Sequence, residues 1–148
     1  MRIRILGCSG GIGAGSRTSA MLIDDDVLID AGTGVGDLDL HELNSIRHVF
    51  LTHAHLDHIA GLPMLVDSIF EEDFDTPVTV YGRCETLEAL QTHLFNEVIW
   101  PDFARIPNAD NPLLRYVVCN PGDTLTVERR DFHAGDVVHS VPSLGYTV

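Results

Sequence analysis

The sequence predicts a single α/β domain, and two observations support this. Apolar segments rich in β-branched and aromatic residues alternate with segments of helical spacing between residues 48 and 95, the order typical of strands and helices packed in layers. The chain has 148 residues, of which 45% are hydrophobic. It is therefore long enough to bury a core without disulfides or a structural metal.

The first three predicted strands lie before residue 30. Residues 2–6 alternate charged and apolar side chains, and residues 20–23 and 27–29 flank three aspartates, a pattern that predicts a hairpin. The glycine-rich segment 7–18 lacks both the third glycine of the dinucleotide fingerprint and the GK[ST] ending of a P-loop. It is either a loop that lets backbone approach a site closely or a simple turn.

A strand followed by a helix is predicted twice in the middle of the chain. Residues 48–52 have the content of a buried strand, and residues 61–70 have helical spacing. Residues 53–58 would then form a strand-to-helix loop. Residues 78–81 predict the next strand, and residues 83–95 predict a helix with acidic side chains near its start.

The last third of the chain predicts an ordered surface excursion and then strands. Residues 96–112 are rich in proline and asparagine, which favours irregular structure. Strands are predicted at 114–119, 124–129, about 137–141 and 145–148, with a turn at 121–123.

Charge and cysteine usage narrow the function classes. The chain carries 22 acidic and nine basic residues, all nine of them arginine, for a formal charge of −13. This charge balance disfavours long nucleic acid as a partner, because binding it requires the protein to neutralise many phosphates. Cys8, Cys84 and Cys119 are an odd number at wide spacing, as in reduced cytosolic proteins. Without a signal peptide or a membrane-length apolar run, we expect a cytoplasmic protein with no membrane partner.

Residues 52–58 read Thr-His-Ala-His-Leu-Asp-His and predict a metal site. His53 and His55 are two apart, so in extended backbone they point to the same side and can bind one ion. Asp57 and His58 would face a second position nearby. Nitrogen and carboxylate ligands suit Zn²⁺, with Mn²⁺ or Fe²⁺ as alternatives.

This segment resembles the HxHxDH signature of the metallo-β-lactamase superfamily. Residues 27–32, Val-Leu-Ile-Asp-Ala-Gly, resemble the first motif of that superfamily. There an aspartate at a strand end supports the metal loop by hydrogen bonding, a role the resemblance gives to Asp30. The alternative is an N-cap or turn aspartate.

The resemblance also implies a third histidine for the first metal, supplied by a later strand, and His139 fits that place. Residues 139–146, His-Ser-Val-Pro-Ser-Leu-Gly-Tyr, together with residues 55–61, are most similar to class II cyclic nucleotide phosphodiesterases and their bacterial relatives. The alternative for His139 is a structural strand histidine. A structural role is preferred for His41, His48, His93 and His133.

The superfamily fold implied is an αβ/βα sandwich of two related halves. Residues 1–148 would be a metallo-β-lactamase-like domain that is C-terminally incomplete, holding the first half and the start of the second. The family order places a bridging aspartate and a last histidine after His139. The phrase Gly122-Asp123-Thr124 precedes His139 and does not fit that order.

The implied function is a metal-dependent hydrolase with one or two ions. His53, His55 and His139 would leave one coordination position open for water, as catalytic zinc sites do. Asp57 and His58 would hold the second ion and act as catalytic residues. The expected substrate is a cyclic nucleotide or a similar small phosphodiester.

Several alternatives remain open at this point. One is an incomplete metal-binding domain without turnover. Another is a superfamily hydrolase that acts on a different ester or on a lactam. A third is an arylsulfatase-like or tRNA-processing enzyme of the same superfamily. A homodimer or a completing C-terminal segment is an expected partner.

Overall fold

Six strands form the main sheet of the structure, a computed structural model that describes residues 1–70 and 76–148. The strands of all the sheets are, in chain order, β1 (Ile3–Gly7), β2 (Ala20–Ile23), β3 (Val27–Ala31), β4 (His48–Phe50), β5 (Val78–Gly82), β6 (Pro107–Asn108), β7 (Asn111–Pro112), β8 (Leu114–Val118), β9 (Thr124–Val127), β10 (Arg130–Val137) and β11 (Ser143–Thr147). The sheet order is β1-β2-β3-β4-β5-β8. Strands β1 to β3 pair antiparallel, whereas β3, β4, β5 and β8 pair parallel. The carboxyl ends of β3 and β4 therefore lie side by side.

Helices cover one face of this sheet. They are a 3₁₀ helix at Thr33–Asp37, α1 (Leu40–Leu43), α2 (Leu56–Ile59), α3 (Leu62–Phe70) and α4 (Cys84–His93). Buried aliphatic side chains of α3 and α4, among them Leu62, Leu65 and Leu90, join one core cluster with Val49 and Val80 of the sheet. Strands β4 and β5 are covered on both faces, which explains their nearly continuous apolar sequence.

A second sheet of three strands, in the order β11-β10-β9, packs on the opposite face. The contact is aromatic: the ring of Phe50 stacks at 4.3 Å on both Phe132 of β10 and Tyr81 of β5. Tyr146 of β11 meets Phe50 edge-on at 5.2 Å. The order of layers is therefore helices, main sheet and second sheet, as expected for the first half of the sandwich and the start of the second.

The predicted α/β class and the hairpin at residues 20–23 and 27–29 are confirmed. The excursion at residues 96–112 is ordered, since β6 and β7 pair within it and Phe103 is 2% exposed in the main core. No helix among the described residues is long and apolar enough to cross a membrane.

The predicted strand at about 137–141 is wrong. Strand β10 runs over Arg130–Val137, and residues 138–142 connect it to β11. Within β10 only Phe132 and Ala134 are buried, and the small side chains of Ala134 and Gly135 weaken the alternation that predicts a strand. The strand predicted at 124–129 ends at Val127, because Glu128 and Arg129 have positive φ and form the turn into β10.

Candidate metal centre

The proposed metal loop follows β4 at the carboxyl edge of the main sheet. His53 and His55 lie in extended or irregular backbone, and His55 is the N-cap of α2. Asp57 and His58 are helical residues of α2, so the prediction that residues 53–58 form a loop is wrong for residues 56–58. A four-residue helix is too short to show a helical pattern in sequence.

Three histidines meet at this edge. His53 Nε2 lies 3.0 Å from His55 Nδ1 and 3.2 Å from His139 Nε2, and one donor atom from each residue falls within 4.8 Å of the others. Tetrahedral zinc with Zn–N bonds of about 2.0–2.1 Å separates its nitrogen ligands by roughly 3.3–3.4 Å. The donor set therefore fits a zinc-class ion. His139 lies in the β10–β11 connection, not on a strand as expected.

A second pair of donors lies on the same helix. His58 Nε2 and Asp57 Oδ2 are 3.5 Å apart, a separation that also fits two ligands of one ion. The other ring nitrogen of His58, Nδ1, is 2.6 Å from Asp30 Oδ2. An imidazole held by a carboxylate on one nitrogen presents the other nitrogen as a ligand.

Asp30 connects the two groups of donors. Its side chain is buried, and its backbone has φ of +57°. One carboxylate oxygen accepts from the Thr52 amide at 2.8 Å, and the Thr52 hydroxyl lies 3.0 Å from both oxygens and 2.9 Å from His53 Nδ1. Asp30 thus contacts His58 directly and reaches His53 through Thr52. Sequence reasoning assigned no role to Thr52, although a polar residue directly after a buried strand was a usable signal.

The electrostatics of the site differ between its two halves. Burial, followed by the neighbouring imidazoles of His58 and His55, lowers the pKa of His53 to about 4. His53 is therefore neutral near pH 7, as a metal ligand must be. The hydrogen bond that His58 Nδ1 donates to the Asp30 carboxylate raises the pKa of His58 above its usual value.

Close backbone packing fixes the position of α2. A Cβ atom added to Gly32 would overlap the carbonyl oxygen of Asp57 and the hydroxyl of Thr18. A Cβ atom on Gly61, after α2, would lie 2.5 Å from the carbonyl oxygen of Gly32. Only glycine allows the β3 exit and the two ends of α2 to approach this closely.

An open cavity of about 460 Å³ lies beside the second donor pair. Its lining combines Asp57 and His58 with the glycine-rich loop and with apolar side chains of the first three strands. The other lining residues are Ile5, Gly7, Cys8, Ser9, Gly10, Ser19, Ala20, Met21, Ile29, Asp30 and Thr52. Of the two alternatives for residues 7–18, the structure supports the loop that approaches a site.

The remaining histidines lie outside this cluster. His48 Nδ1 contacts the Tyr81 hydroxyl at 3.1 Å, and His133 Nδ1 contacts the Thr124 hydroxyl at 2.8 Å. His41 and His93 lie in the last turns of α1 and α4. Asp123 accepts from the Asn120 amide in the turn before β9.

The sequence model of the family described as class-II cAMP phosphodiesterases matches residues 39–129, more than half of the chain. The chain belongs to this family. Its fold is the metallo-β-lactamase fold: unliganded yeast PDE1 superposes with a TM-score of 0.73 at 21% identity, over 97% of this chain and 59% of that one. The metallo-β-lactamase fold protein YhfI of Bacillus subtilis gives 0.72 at 19% identity, over 97% and 56%.

Curated relatives include a cyclic-nucleotide phosphodiesterase and ribonuclease Z proteins. The 3′,5′-cyclic-nucleotide phosphodiesterase 1 of Saccharomyces cerevisiae is 44% identical over 57 residues, which are 38% of this chain and 15% of that protein. Ribonuclease Z of Methanococcus maripaludis is 30% identical over 103 residues, or 68% and 31%. Ribonuclease Z of Methanosarcina acetivorans is 28% identical over 100% of this chain and 48% of its own length. The chain thus spans less than half the length of each of these relatives.

A further structural neighbour was solved with zinc bound. PqqB from Methylobacterium extorquens, solved in a Zn²⁺-bound form, superposes with a TM-score of 0.60 at 17% identity, over 93% of this chain and 56% of that one. At this identity the likeness concerns the fold alone.

Proposed function

We propose that this chain carries the first metal-binding half of a phosphodiesterase that hydrolyses a cyclic nucleotide or a similar small phosphodiester. The observation that carries the proposal is the convergence of His53, His55 and His139, in which His53 Nε2 lies within 3.2 Å of a nitrogen of each of the other two, beside the Asp57–His58 pair. A zinc-class ion bound there would lower the pKa of water to about 7 and polarise the phosphoryl oxygen.

The chain's own residues would orient that chemistry. His53, His55 and His139 offer three nitrogens and leave one position of a tetrahedron open. Asp30 fixes the His58 ring through Nδ1, so that Nε2 faces the Asp57 carboxylate. Asp57 and His58 would hold a second ion and line the cavity that receives the substrate.

Family membership and chemistry both favour a small phosphodiester. The family description names cAMP, and the Saccharomyces cerevisiae relative is a cyclic-nucleotide phosphodiesterase. A formal charge of −13 and the absence of lysine disfavour a polyanionic substrate, which many basic residues would have to bind.

Processing of tRNA is the second candidate. Ribonuclease Z proteins match the chain over as much as its full length, so the same metal residues could serve a nuclease. Neither activity follows from the fold, because one fold hosts many substrates. Hydrolysis of another ester or a lactam is the remaining enzymatic alternative.

The proposal is tested in two stages. Zinc, manganese and iron are first titrated into metal-free protein, with His139→Ala as the test variant and His133→Ala as the matched control. We expect the His139 variant to lose about tenfold or more in affinity at the first site, and the control to bind as the wild type does. Stoichiometric binding unaffected by His139→Ala would contradict the assigned site.

Activity is then measured with cAMP, a nitrophenyl phosphodiester, a precursor tRNA and a β-lactam. Phosphodiester cleavage that Asp57→Asn strongly reduces supports the proposal, and tRNA cleavage alone would favour the second candidate. Metal binding without turnover of any substrate would identify a binding domain that needs a further segment or a second copy. Sedimentation of the same samples distinguishes a monomer from a homodimer.

A further inference from the structure

We propose that Tyr146 is a positioning residue for the candidate metal centre. In this proposal its hydroxyl holds β11, and with it the connection that carries His139, in register with the strand end that leads into His53. The inference rests on the metal-binding part of the proposed function.

Two hydrogen bonds join β11 to the residues that directly precede His53. The Tyr146 hydroxyl donates to the Leu51 carbonyl at 2.9 Å, and the Leu144 amide donates to the Thr52 carbonyl at 2.9 Å. Leu51 is completely buried. The Tyr146 hydroxyl therefore supplies its carbonyl with a donor where solvent cannot replace one.

His139 depends on β11 for its position. It lies in the short connection at residues 138–142, four residues before β11 begins at Ser143. The Ser143 hydroxyl donates to the Val141 carbonyl at 2.9 Å, which ties the connection to the start of the strand. A shift of β11 along β4 would thus change the 3.2 Å separation between His139 Nε2 and His53 Nε2.

The chemistry of Tyr146 suits a permanent donor. Burial raises the pKa of its hydroxyl well above the usual range, so the group is protonated and able to donate near pH 7. The ring contributes separately, since it packs edge-on against Phe50. Phenylalanine at position 146 would keep the ring contact and remove only the hydrogen bond.

The first test compares Tyr146→Phe with a matched variant, Tyr81→Phe. The Tyr81 hydroxyl contacts His48 Nδ1 at 3.1 Å at the start of β4, so its loss removes a tyrosine hydrogen bond at the end of the strand opposite to His53. The measured quantities are the affinity for Co²⁺ and Zn²⁺ and the visible spectrum of the Co²⁺ form, which reports ligand geometry. Urea unfolding of each variant measures stability independently.

We expect Tyr146→Phe to bind Co²⁺ about five- to tenfold more weakly, with a changed band position or intensity, because a buried carbonyl loses its donor. Tyr81→Phe should lose a similar amount of stability and keep the affinity and spectrum of the wild type. Equal affinities and identical spectra for Tyr146→Phe and the wild type would overturn the inference.

A second measurement needs no variant. If the β11 contact and metal binding are coupled, zinc must strengthen that contact in return. Hydrogen exchange of the Leu144 amide should slow on zinc binding by more than exchange of the buried Leu113 amide, which donates to Ile106 beside the amino end of β5. Equal changes at the two amides would contradict the proposal even if Tyr146→Phe failed to fold.

The outcomes separate this inference from the proposed function. A wild-type chain that binds neither metal refutes the metal site and the inference together. A wild-type chain that binds tightly, with Tyr146→Phe indistinguishable from it, refutes only the role of Tyr146.

Discussion

Asp30 shows how a single residue connects the two predicted metal positions. Its carboxylate contacts His58 directly and Thr52 through three short contacts, and Thr52 contacts His53. The positive φ of Asp30 places this side chain at the exit of β3, a conformation that costs energy for a residue with a Cβ atom. Buried contacts to one carboxylate therefore orient one imidazole in each half of the site.

Gly32 provides the first prediction at this scale. We expect Gly32→Ala to lower the free energy of unfolding by about 1–3 kcal/mol and to weaken the second metal site, because the new Cβ forces Asp57 to move. Gly36→Ala is the matched control, since a Cβ there meets nothing within 4 Å. Urea unfolding and metal titration measure both effects. Equal stability of the two variants would show that the β3–α2 contact can relax.

The pKa of His53 leads to a prediction about acid stability in metal-free protein. Its value is about 4 in the folded state against 6.5 for an unperturbed histidine, so between these values the unfolded chain binds a proton that the folded chain does not. The free energy of unfolding should therefore fall as pH decreases from 6.5 towards 4. His58 acts in the opposite direction, because its raised pKa gives stabilisation that is lost as pH rises through that value.

The comparison of variants isolates His53 from these other groups. We expect His53→Gln to lose stability less steeply over pH 6.5 to 4 than the wild type, as followed by urea unfolding. His41→Gln, which changes an exposed histidine outside the cluster, should follow the wild-type profile. Parallel profiles for His53→Gln and the wild type would mean that His53 titrates normally.

At the level of elements, local pattern predicted the strands and helices that are buried on one or two faces. The hairpin of β2 and β3, strand β5 and helix α4 all have strong apolar periodicity, and each lies within a few residues of its predicted place. Strand β10 was missed because its buried face consists of Phe132 and Ala134 only. Helix α2 was missed because four residues cannot show a helical period.

The candidate site also combines residues that local sequence pattern indicates with contacts that it does not. His53, His55, Asp57 and His58 are adjacent in sequence, so their spacing alone indicates an ion. The place of His139 came from a resemblance, and its meeting with His53 depends on how the second sheet packs. Contacts between distant segments, such as Tyr146 with Leu51 or Gly32 with Asp57, leave no signal in local pattern.

At the scale of the whole molecule, the metal donors come from two layers. His53 and His55 follow β4 of the main sheet, whereas His139 lies in the connection between β10 and β11 of the second sheet. The two sheets meet in an aromatic cluster in which Phe50 stacks on Phe132. An ion pair of 2.8 Å also joins Arg130 of β10 to Asp24, which lies in the β2–β3 turn. A bound ion would therefore cross-link the two sheets, and its affinity would depend on how firmly they pack.

Phe132 allows this dependence to be measured. Phe132→Ala removes a fully buried ring, so we expect a loss of about 3–5 kcal/mol in stability, together with weaker zinc binding because the sheet that carries His139 is loosened. Phe132→Leu retains most of the volume and should cost less in both quantities.

Saturating zinc should raise the melting temperature of the wild type, since an ion bound only to the folded state stabilises it. In Phe132→Ala the same zinc concentration should raise it by less. If Phe132→Ala loses stability and still gains the full zinc-dependent increase in melting temperature, the three histidines are held without help from the aromatic contact, and the packing of the two sheets is not coupled to the metal centre.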